Sequence, residues 1–414
     1  MAKPNGARRV VVTGMGVVSP IGTTVDEFWA GMRASKSGVS AIEGFPPEDL
    51  KVLIAAQIKG FDHRARLRHF QRDKIIMHAD RYSWFAAAAA DEAVKMAGLN
   101  VPFDDPYRAA CIIGSGAGGL VTFEKAYRDL FIENKRATHP LTLLRIIGSS
   151  ASAHVGIEFG IKGPTFATCS ACSTATHAIG VARDYIQHGM VDVAVCGASE
   201  SVINYGTMKA WQALHVLSPE GIFPFSKKRN GTVLGEGAGI LVLEELEHAK
   251  ARGAKILCEL VGYGMTSDAK DMVNPGIEGP REAMRLALEE AGIPGTEIEY
   301  LNAHGTATAI NDENETNAIK DLYGKHAYNL AISSTKSMHG HPLGAGGGLE
   351  AVACIKAMEE NWVPPTIGLD DPDPKCDLDY VPNVGRNLQV NYTMSNSFAF
   401  GGLNTALVFG PSPV

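Results

Sequence analysis

Residues 163–180 read Gly-Pro-Thr-Phe-Ala-Thr-Cys-Ser-Ala-Cys-Ser-Thr-Ala-Thr-His-Ala-Ile-Gly and are the most informative segment of the chain. An extended stretch runs directly into a predicted helix, with Cys172 at the junction. The positive end of a helix dipole beside a cysteine favours the thiolate, so Cys172 is a candidate nucleophile. Its small neighbours let other backbone approach closely, and the N–H groups of such a turn are suited to hold an oxyanion.

Cys169 and Cys172 also form a Cys-x-x-Cys pair, which is typical of redox-active dithiols and of zinc half-sites. The chain has no second such pair, and from this segment alone a catalytic thiol, a redox or metal pair and a buried inert cysteine all stay open. An odd total of seven cysteines in so long a chain predicts no disulfide scaffold. We therefore expect a reducing environment and a cytoplasmic protein.

Extended segments and helices alternate on both sides of this stretch, which predicts an α/β fold with mostly buried strands. Strands are predicted at Val10–Val12, Ala109–Ile113, Val191–Cys196, Gly239–Val242, Ile256–Val261, Tyr300–Asn302, Leu330–Ser333, Thr393–Ser397 and Ala406–Phe409. Helices are predicted at Val25–Arg33, Arg81–Met96, Thr174–Gln187, Pro280–Ala291, Asn314–Leu322 and Gly346–Glu359. A charged stretch at residues 245–255 is the only seam, so we divide the chain into halves at 1–253 and 254–414. No repeat is visible in residue identities.

The composition excludes several classes of protein. Glycine accounts for 45 of 414 residues without a three-residue period, which excludes collagen and favours closely approaching elements. A hydrophobic content of 45% excludes a disordered chain. The net charge of −7 argues against nucleic-acid binding. No segment approaches the roughly 18 to 20 uncharged apolar residues of a membrane span.

Two histidine loops follow predicted strands. Residues 302–308 read Asn-Ala-His-Gly-Thr-Ala-Thr, and residues 334–344 read Ser-Thr-Lys-Ser-Met-His-Gly-His-Pro-Leu-Gly. Ligand-binding groups of α/β proteins usually stand in loops at strand ends. A lone histidine is more often structural, but two such loops together with a candidate thiol favour a catalytic site.

Five motifs in order carry a resemblance to a known family. They are residues 10–22 (VVVTGMGVVSPIG), residues 114–119 (GSGAGG), the cysteine segment, the two histidine loops and residues 396–404 (NSFAFGGLN). The chain resembles the β-ketoacyl-acyl-carrier-protein synthases over nearly its whole length, and the type II condensing enzymes most closely. The resemblance implies a thiolase-like α/β fold in a homodimer. Two similar halves, each with a mixed sheet, would form a five-layer α-β-α-β-α arrangement.

The resemblance also implies the reaction. Cys172 would take an acyl group from a carrier protein's phosphopantetheine arm, with the N–H groups of Cys172 and Phe400 as oxyanion hole. His304 and His341 would stabilise the enolate that forms when malonyl-carrier loses carbon dioxide. Loss of carbon dioxide drives the condensation, so no metal or redox cofactor is expected.

Other residues receive supporting roles from the same resemblance. Thr306 and Thr308 would bind the pantetheine amides. Lys336 would pair with Glu315 beside the site, although a solvated helix charge is an equal interpretation of Glu315. Phe400 would gate the acyl pocket, with ordinary core packing as its alternative.

Two features bear on chain length. Ala117 stands where type II enzymes commonly have isoleucine, and a smaller side chain would lengthen the acyl pocket. We therefore hypothesise tolerance of long or very long acyl chains. The leucine-rich residues 139–147 align where the family lines its pocket from the partner subunit, and a plain core helix is an equal interpretation.

A basic stretch at residues 61–81 is a candidate docking surface for an acidic carrier protein. The residues assigned to docking are Arg66, Arg68, Arg72 and Lys74. A solvated charged face is the alternative.

Other functions stay in view. A thiolase would normally carry a second catalytic cysteine near the C-terminus, where the only late cysteine is Cys376. A non-catalytic chain-length partner would be expected to lack the active cysteine. A Cys/His hydrolase and a synthase of a polyketide or nodulation-type lipid pathway are the remaining alternatives.

Overall fold

The computed structural model describes residues 8–46 and 49–413. The strands in these residues are β1 Val10–Val18, β2 Ser40–Ala41, β3 Ile54–Ala55, β4 Ala109–Gly114, β5 Thr165–Phe166, β6 Val193–Glu200, β7 Gly237–Glu245, β8 Cys258–Ser267, β9 Tyr300–Asn302, β10 Ala331–Ser333, β11 Trp362–Val363, β12 Arg386–Asn387, β13 Thr393–Ala399 and β14 Leu403–Gly410. The α-helices are α1 Val25–Arg33, α2 His63–Leu67, α3 Arg81–Ala97, α4 Leu120–Phe131, α5 Thr142–Ile146, α6 Ser150–Phe159, α7 Thr174–Gln187, α8 Tyr205–Ala213, α9 Leu246–Ala251, α10 Glu278–Ala291, α11 Ala309–Tyr323, α12 Lys336–His339 and α13 Gly346–Glu360.

Two sets of five strands share one topology. The order is β5-β4-β6-β7-β1 in the first set and β10-β9-β13-β14-β8 in the second. In each set the three outer strands run parallel and the last two pairings are antiparallel. The sets join where β1 meets β8, through Val11 opposite Glu259 and Val12 opposite Cys258. Two similar halves with mixed sheets are therefore confirmed.

Helices form three layers around these strands. Helices α7 and α13 contact strands of both sets, so they lie between them. Helices α3 and α6 cover the other face of the first set, and α10 and α11 cover that of the second. The alternation on β6 shows the layering, since Ala194 and Cys196 face the central cluster and Val193 and Val195 face the one under α3. The five-layer arrangement is confirmed.

Pairs of glycines let the outer helices approach the first strand of each set. A Cβ on Gly16 would lie 1.9 Å from the Ala89 carbonyl oxygen of α3, and one on Gly264 would lie 2.0 Å from the Ala283 oxygen of α10. Gly14 and Gly262 meet the same two helices one turn further along. A glycine in a strand marks such a close approach of backbone.

Every predicted strand and helix is present, several of them with different ends, whereas the helices α4 and α6 were not predicted. The first strand was predicted to stop at Val12, but β1 continues through Gly14 and Gly16 to Val18 because these glycines pack under α3. The division at residues 253 and 254 falls between β7 and β8 and stays a prediction. No helix among the described residues combines the length and apolarity needed to cross a membrane.

Candidate active site

Cys172 lies in a single 3-10 turn, Ala171–Ser173, that leads directly into α7. Ala171 has a φ of +46°, which an L residue rarely adopts, so the turn is strained. Thr174 holds it, because its hydroxyl accepts the Ser170 N–H at 2.9 Å and donates to the Ala171 carbonyl at 2.7 Å. The small side chains around Cys172 thus allow a tight turn that presents the sulfur.

The Cys172 sulfur lies 3.2 Å from Nε2 of His341, and both residues are buried. Burial raises the pKa of Cys172 to about 12, although the nearby Lys336 charge opposes the rise. The resting group is therefore a thiol, against the expectation that the helix dipole alone would favour the thiolate. His341 keeps its imidazole neutral, since burial and Lys336 hold its pKa well below the usual value. A neutral Nε2 can accept the thiol proton.

His304 follows β9 and faces His341, with the two ring centroids 5.6 Å apart. Burial lowers its pKa well below the usual value, with Lys336 as the next cause. Glu315 on α11 fixes the histidine's backbone, because its two carboxylate oxygens accept the N–H groups of His304 and Gly305, each at 2.8 Å. Glu315 is buried and absent from the cavity wall, so its assignment to substrate binding is wrong, as is the alternative of a solvated charge.

Lys336 forms its ion pair with Glu350 of α13, and the predicted pairing with Glu315 is wrong. Lys336 is the first residue of α12, and its ammonium group lies against the buried N-terminal part of α13. Both side chains of this pair are buried. The positive charge of Lys336 lowers the pKa of Cys172, His304 and His341 alike, so it acts on the site through the electric field.

A cavity of about 260 Å³ opens onto Cys172, His304 and His341. Thr306 and Thr308 line it, with their hydroxyl oxygens 3.0 Å apart. The other lining residues are Trp211, Val216, Asn230–Thr232, Val273–Pro275, Ala309–Asn311 and Phe398–Phe400. The cavity therefore brings together the thiol, both histidines and both threonines that the sequence singled out.

Phe400 also lines the cavity and sits in the tight turn between β13 and β14. Gly401 and Gly402 follow it with φ values of +81° and +68°, in the region that favours glycine. Its ring lies 5.8 Å from that of Trp211 across the opening. Phe400 is half-buried, which differs from the fully buried side chain expected of ordinary core packing.

Comparison with known proteins identifies the family. A family model described as beta-ketoacyl synthase, N-terminal domain, matches residues 7–249, and the corresponding C-terminal domain matches residues 257–370. The chain belongs to the beta-ketoacyl synthase family. It is an acyl-transferring condensing enzyme with the thiolase-like fold that the sequence resemblance implied.

Several relatives align with this beta-ketoacyl synthase end to end. Nodulation protein E of Rhizobium meliloti (strain 1021) is 43% identical over 403 residues, covering 97% of this chain and 99% of that protein. The 3-oxoacyl-[acyl-carrier-protein] synthase 2 of Staphylococcus aureus (strain COL) is 41% identical over 409 residues, covering 97% and 98%. A solved type II polyketide synthase ketosynthase, in complex with its acyl-carrier protein and bound to the hexaketide, has a TM-score of 0.89. It is 33% identical and covers 98% of this chain and 100% of that chain.

Ala117 lies outside the wall of the cavity described above. It packs instead against the apolar cluster that contains Cys172, Val202, Ile203 and Leu343. The structure thus leaves the proposed effect of Ala117 on chain length as a prediction.

Sequence reasoning missed Glu200, which ends β6 beside this cluster. Its carboxylate accepts the Ser115 hydroxyl and the Gly116 N–H, each at 2.8 Å, and the Gly344 N–H at 3.1 Å. It thus joins the loop that carries Ala117 to the loop that carries His341. Burial raises its pKa to about 7. The sequence feature that could have indicated this residue is a single acid, Glu200, directly after the uncharged residues 193–199.

The docking residues differ in exposure. Arg68, Arg72 and Lys74 are exposed, whereas Arg66 is half-buried and donates to the Thr23 carbonyl at 3.4 Å. Residues 139–147 are not a core helix, since Leu143 is 70% exposed. Their end touches the Ala117 loop, where the Gly119 N–H donates to the Ile146 carbonyl.

The remaining candidate cysteines stand apart from the cavity. Cys169 is exposed, and its sulfur lies 3.6 Å from the Gly116 carbonyl oxygen. Cys376, which a thiolase would need beside Cys172, is buried in the outer cluster of the second half together with Phe225 and Tyr380. This position does not fit a second catalytic cysteine.

Proposed function

We propose that this protein is a 3-oxoacyl-[acyl-carrier-protein] synthase, which joins an acyl group held on Cys172 to malonyl-acyl-carrier protein and lengthens it by two carbons. The contact between the Cys172 sulfur and His341, with His304 on the same cavity, is the observation that carries the proposal. Both curated relatives align over nearly their full length, and one is named for this activity.

Acyl transfer comes first. The Cys172 thiol gives its proton to Nε2 of His341 while the sulfur attacks the thioester carbon of the acyl-carrier. The tetrahedral oxyanion is held by the backbone N–H groups of Cys172 and Phe400. The pantetheine thiolate leaves and takes the proton back from His341, so the step is balanced and the histidine returns to its neutral form.

Decarboxylation follows when malonyl-carrier enters the cavity, where Thr306 and Thr308 bind the pantetheine amides. The bond to the carboxylate breaks, carbon dioxide leaves, and the electron pair moves into an enolate. A neutral imidazole with its proton on Nε2 donates to the enolate oxygen. His304 does so directly, and His341 does so once its ring proton has moved from Nδ1 to Nε2 through solvent after acyl transfer, so neither ring has to be charged. The enolate carbon then attacks the acyl group, and Cys172 leaves as a thiolate that regains a proton from solvent.

Three classes of acyl substrate are considered: long fatty acyl chains, nodulation-type lipids and polyketides. A relative 43% identical is a nodulation protein, and a structural neighbour is a polyketide ketosynthase bound to a hexaketide. Ala117 packs against the apolar cluster that contains Cys172, and its side chain is smaller than the isoleucine common in type II enzymes, so we assign long or very long acyl chains to this enzyme. The alternatives are a nodulation-type lipid pathway and a polyketide pathway.

The acyl carrier protein is the proposed partner, docking on Arg66, Arg68, Arg72 and Lys74. A solved neighbour was captured in complex with its own acyl-carrier protein, which supports this interaction. Charge reversal of Arg68 and Arg72 should raise the KM for the carrier and make it less sensitive to salt. Reversal of the exposed Lys325 in the second half serves as control. Unchanged carrier kinetics in the double variant would remove the docking surface.

A homodimer is proposed from exposed apolar side chains on two adjoining helices. On α4, Phe123, Tyr127 and Phe131 form a continuous row, with ring centroids 4.4 and 5.5 Å apart. Leu143 and Leu144 are exposed on α5 beside them. Contiguous apolar surface of this kind marks an interface. We also propose that the enzyme is cytoplasmic and that its reaction needs no metal or redox cofactor.

The test is product identification by mass. The enzyme is incubated with acyl-carriers of different lengths, with and without malonyl-carrier. We expect 3-ketoacyl-carriers longer by one two-carbon unit, maintained to long chains, and no product with Cys172→Ala. Ala117→Ile should shorten the preferred chain. Hydrolysis without condensation would overturn the proposal in favour of a hydrolase, and products of several malonyl units would indicate a polyketide pathway.

A further inference from the structure

One cluster of metal-ligating side chains occurs among the described residues, and it is Cys172 with His304 and His341. The ligand atoms of these three residues all lie within 4.8 Å of one another. All three side chains are buried and line the same cavity of about 260 Å³. We propose that this cluster reversibly binds a thiophilic divalent cation such as Zn²⁺, and that the bound ion blocks the enzyme.

The separations are close to those of a zinc site. Zinc binds sulfur at about 2.3 Å and histidine nitrogen at about 2.0–2.1 Å, so tetrahedral geometry places sulfur and nitrogen about 3.6 Å apart. The sulfur of Cys172 and Nε2 of His341 are 3.2 Å apart, already near this value. The remaining separations, up to 4.8 Å, require His304 to approach by about 1 Å, given the same ideal geometry.

The donor set suits a borderline-soft cation. Two imidazole nitrogens and one cysteine sulfur are ligand types that zinc prefers. Metal binding displaces the thiol proton of Cys172, which passes to solvent, and leaves a zinc thiolate. Lys336, whose charge acts on all three residues, is paired with Glu350 and therefore repels the ion less than a free ammonium would. Three protein ligands leave a fourth position for water.

The surroundings fit an inhibitory site better than a resident cofactor site. Histidines of built metal centres donate their second ring nitrogen to a carboxylate or carbonyl, and such partners change affinity by about 10- to 100-fold. Nδ1 of His304 and Nδ1 of His341 are buried without a hydrogen-bond partner among the described residues. We therefore expect an affinity below that of structural zinc sites and full release to a chelator. The ion would occupy the nucleophile and both enolate-stabilising nitrogens at once.

The test uses Co²⁺, whose absorption reports on the cluster without requiring activity. The full-length chain is titrated with CoCl₂ in the absence of oxygen. We expect a thiolate-to-cobalt charge-transfer band and the strong visible bands of tetrahedral cobalt, saturating at about one ion per chain. Cys172→Ser should abolish the charge-transfer band, His304→Ala should weaken binding, and Cys169→Ser should leave the spectrum unchanged. Melting curves check that each variant is folded.

A second measurement connects the ion to inhibition. Zn²⁺ should displace Co²⁺ and abolish the cobalt bands, and it should lower the condensation rate roughly tenfold or more. EDTA should remove the zinc and restore the rate. Prior acylation of Cys172 should prevent the cobalt spectrum. Absent bands, bands that persist in folded Cys172→Ser, or bands lost in Cys169→Ser would each overturn the proposal. Because this readout is spectroscopic, an enzyme inactive in condensation would still decide it.

Discussion

At the scale of single residues, the site depends on three buried acids whose partners are backbone amides or a lysine. Glu200 and Glu315 receive N–H groups from the loops that carry the catalytic residues, and Glu350 neutralises Lys336. A buried charge is costly unless it is paired and hydrogen-bonded. These acids therefore stabilise the loops around Cys172 rather than reacting themselves.

Glu315 offers a test of positioning. Glutamine has one acceptor oxygen in place of two, so Glu315→Gln must lose a hydrogen bond to the His304 or Gly305 amide. A hydrogen bond to a charged group contributes about 1.5–3 kcal/mol, so we expect condensation to slow by roughly 10- to 100-fold. Acyl transfer to Cys172, measured separately, should change much less.

The matched control for Glu315 is Glu313→Gln, two residues away on the same helix, where the acid pairs with Lys375 at the surface. It should leave condensation unchanged. Equal losses of acyl transfer and condensation in Glu315→Gln would contradict a role through His304.

Glu200 makes stability depend on pH. Burial raises its pKa from 4.5 to about 7, so between these values the folded state binds more protons than the unfolded state. Its contribution to the free energy of unfolding therefore falls as pH rises, by up to about 3 kcal/mol. Glutamine does not titrate, so the free energy of unfolding of Glu200→Gln should rise relative to that of wild type as the pH is raised from 4.5 to 8.

Urea unfolding of both proteins across this pH range measures the difference. The exposed Glu220→Gln serves as control and should follow wild type at every pH. A difference between Glu200→Gln and wild type that is the same at all pH values would show that Glu200 titrates normally.

The residues of the candidate active site could be found from the sequence because each stands in a short motif at a strand end. Cys172, His304 and His341 meet in one cavity as the motifs indicated. The partners of Lys336 and Glu315 could not be predicted, because they depend on how α12 packs against α13 and how α11 packs under the His304 loop. Likewise the pKa of Cys172 is set by burial, which a motif does not reveal.

At the scale of elements, the two halves share a packing feature that rests on two glycines in each half. Each begins with a strand containing Gly-x-Gly, and each pair of glycines lies under the carbonyls of an outer helix. What the two halves repeat is therefore the close packing of an outer helix on the first strand, at Gly14 and Gly16 in one half and at Gly262 and Gly264 in the other. Sequence reasoning took the first pair for the end of a strand.

This feature predicts equal sensitivity in both halves. Gly16→Ala and Gly264→Ala each place a methyl group about 2 Å from a helix carbonyl, so the helix must shift. We expect each change to cost about 1–3 kcal/mol or more in the free energy of unfolding. Gly148→Ala is the control, since a Cβ there meets no atom within 4 Å. Wild-type urea midpoints for both core variants would contradict the packing described here.

Strongly patterned helices were predictable, with α1 and α7 matching residue for residue, and the short strand β9 also matches. The two-residue strands β2, β3, β11 and β12 were not, because so short a segment has no period to detect. Helix α4 went unpredicted although its apolar residues recur at helical spacing.

At the scale of the whole molecule, the apolar surface of α4 and α5 lies next to the loop that carries Ala117. A partner subunit covering this surface would then border the acyl pocket of its neighbour. The net charge of −7 is compatible with docking of an acidic carrier because Arg68, Arg72 and Lys74 remain exposed.

Assembly gives the test at this scale. Phe131 is 73% exposed, so Phe131→Glu should spare the fold of the subunit and disrupt the dimer. Sedimentation velocity should show a dimer for wild type and a monomer for the variant. Val384→Glu, at an apolar residue equally exposed elsewhere, should remain dimeric. A wild-type monomer, or a dimer that survives Phe131→Glu, would contradict the proposed interface.

In the proposed reaction Cys172 holds the acyl group, and His304 acts only after acyl transfer. The most direct measurement is the intact mass of the enzyme after exposure to acyl-carrier alone. Wild type and His304→Ala should both gain one acyl group, and Cys172→Ala should gain none. Added malonyl-carrier should then discharge wild type and leave His304→Ala acylated. An acyl group on Cys172→Ala, or rapid discharge of His304→Ala, would contradict the account.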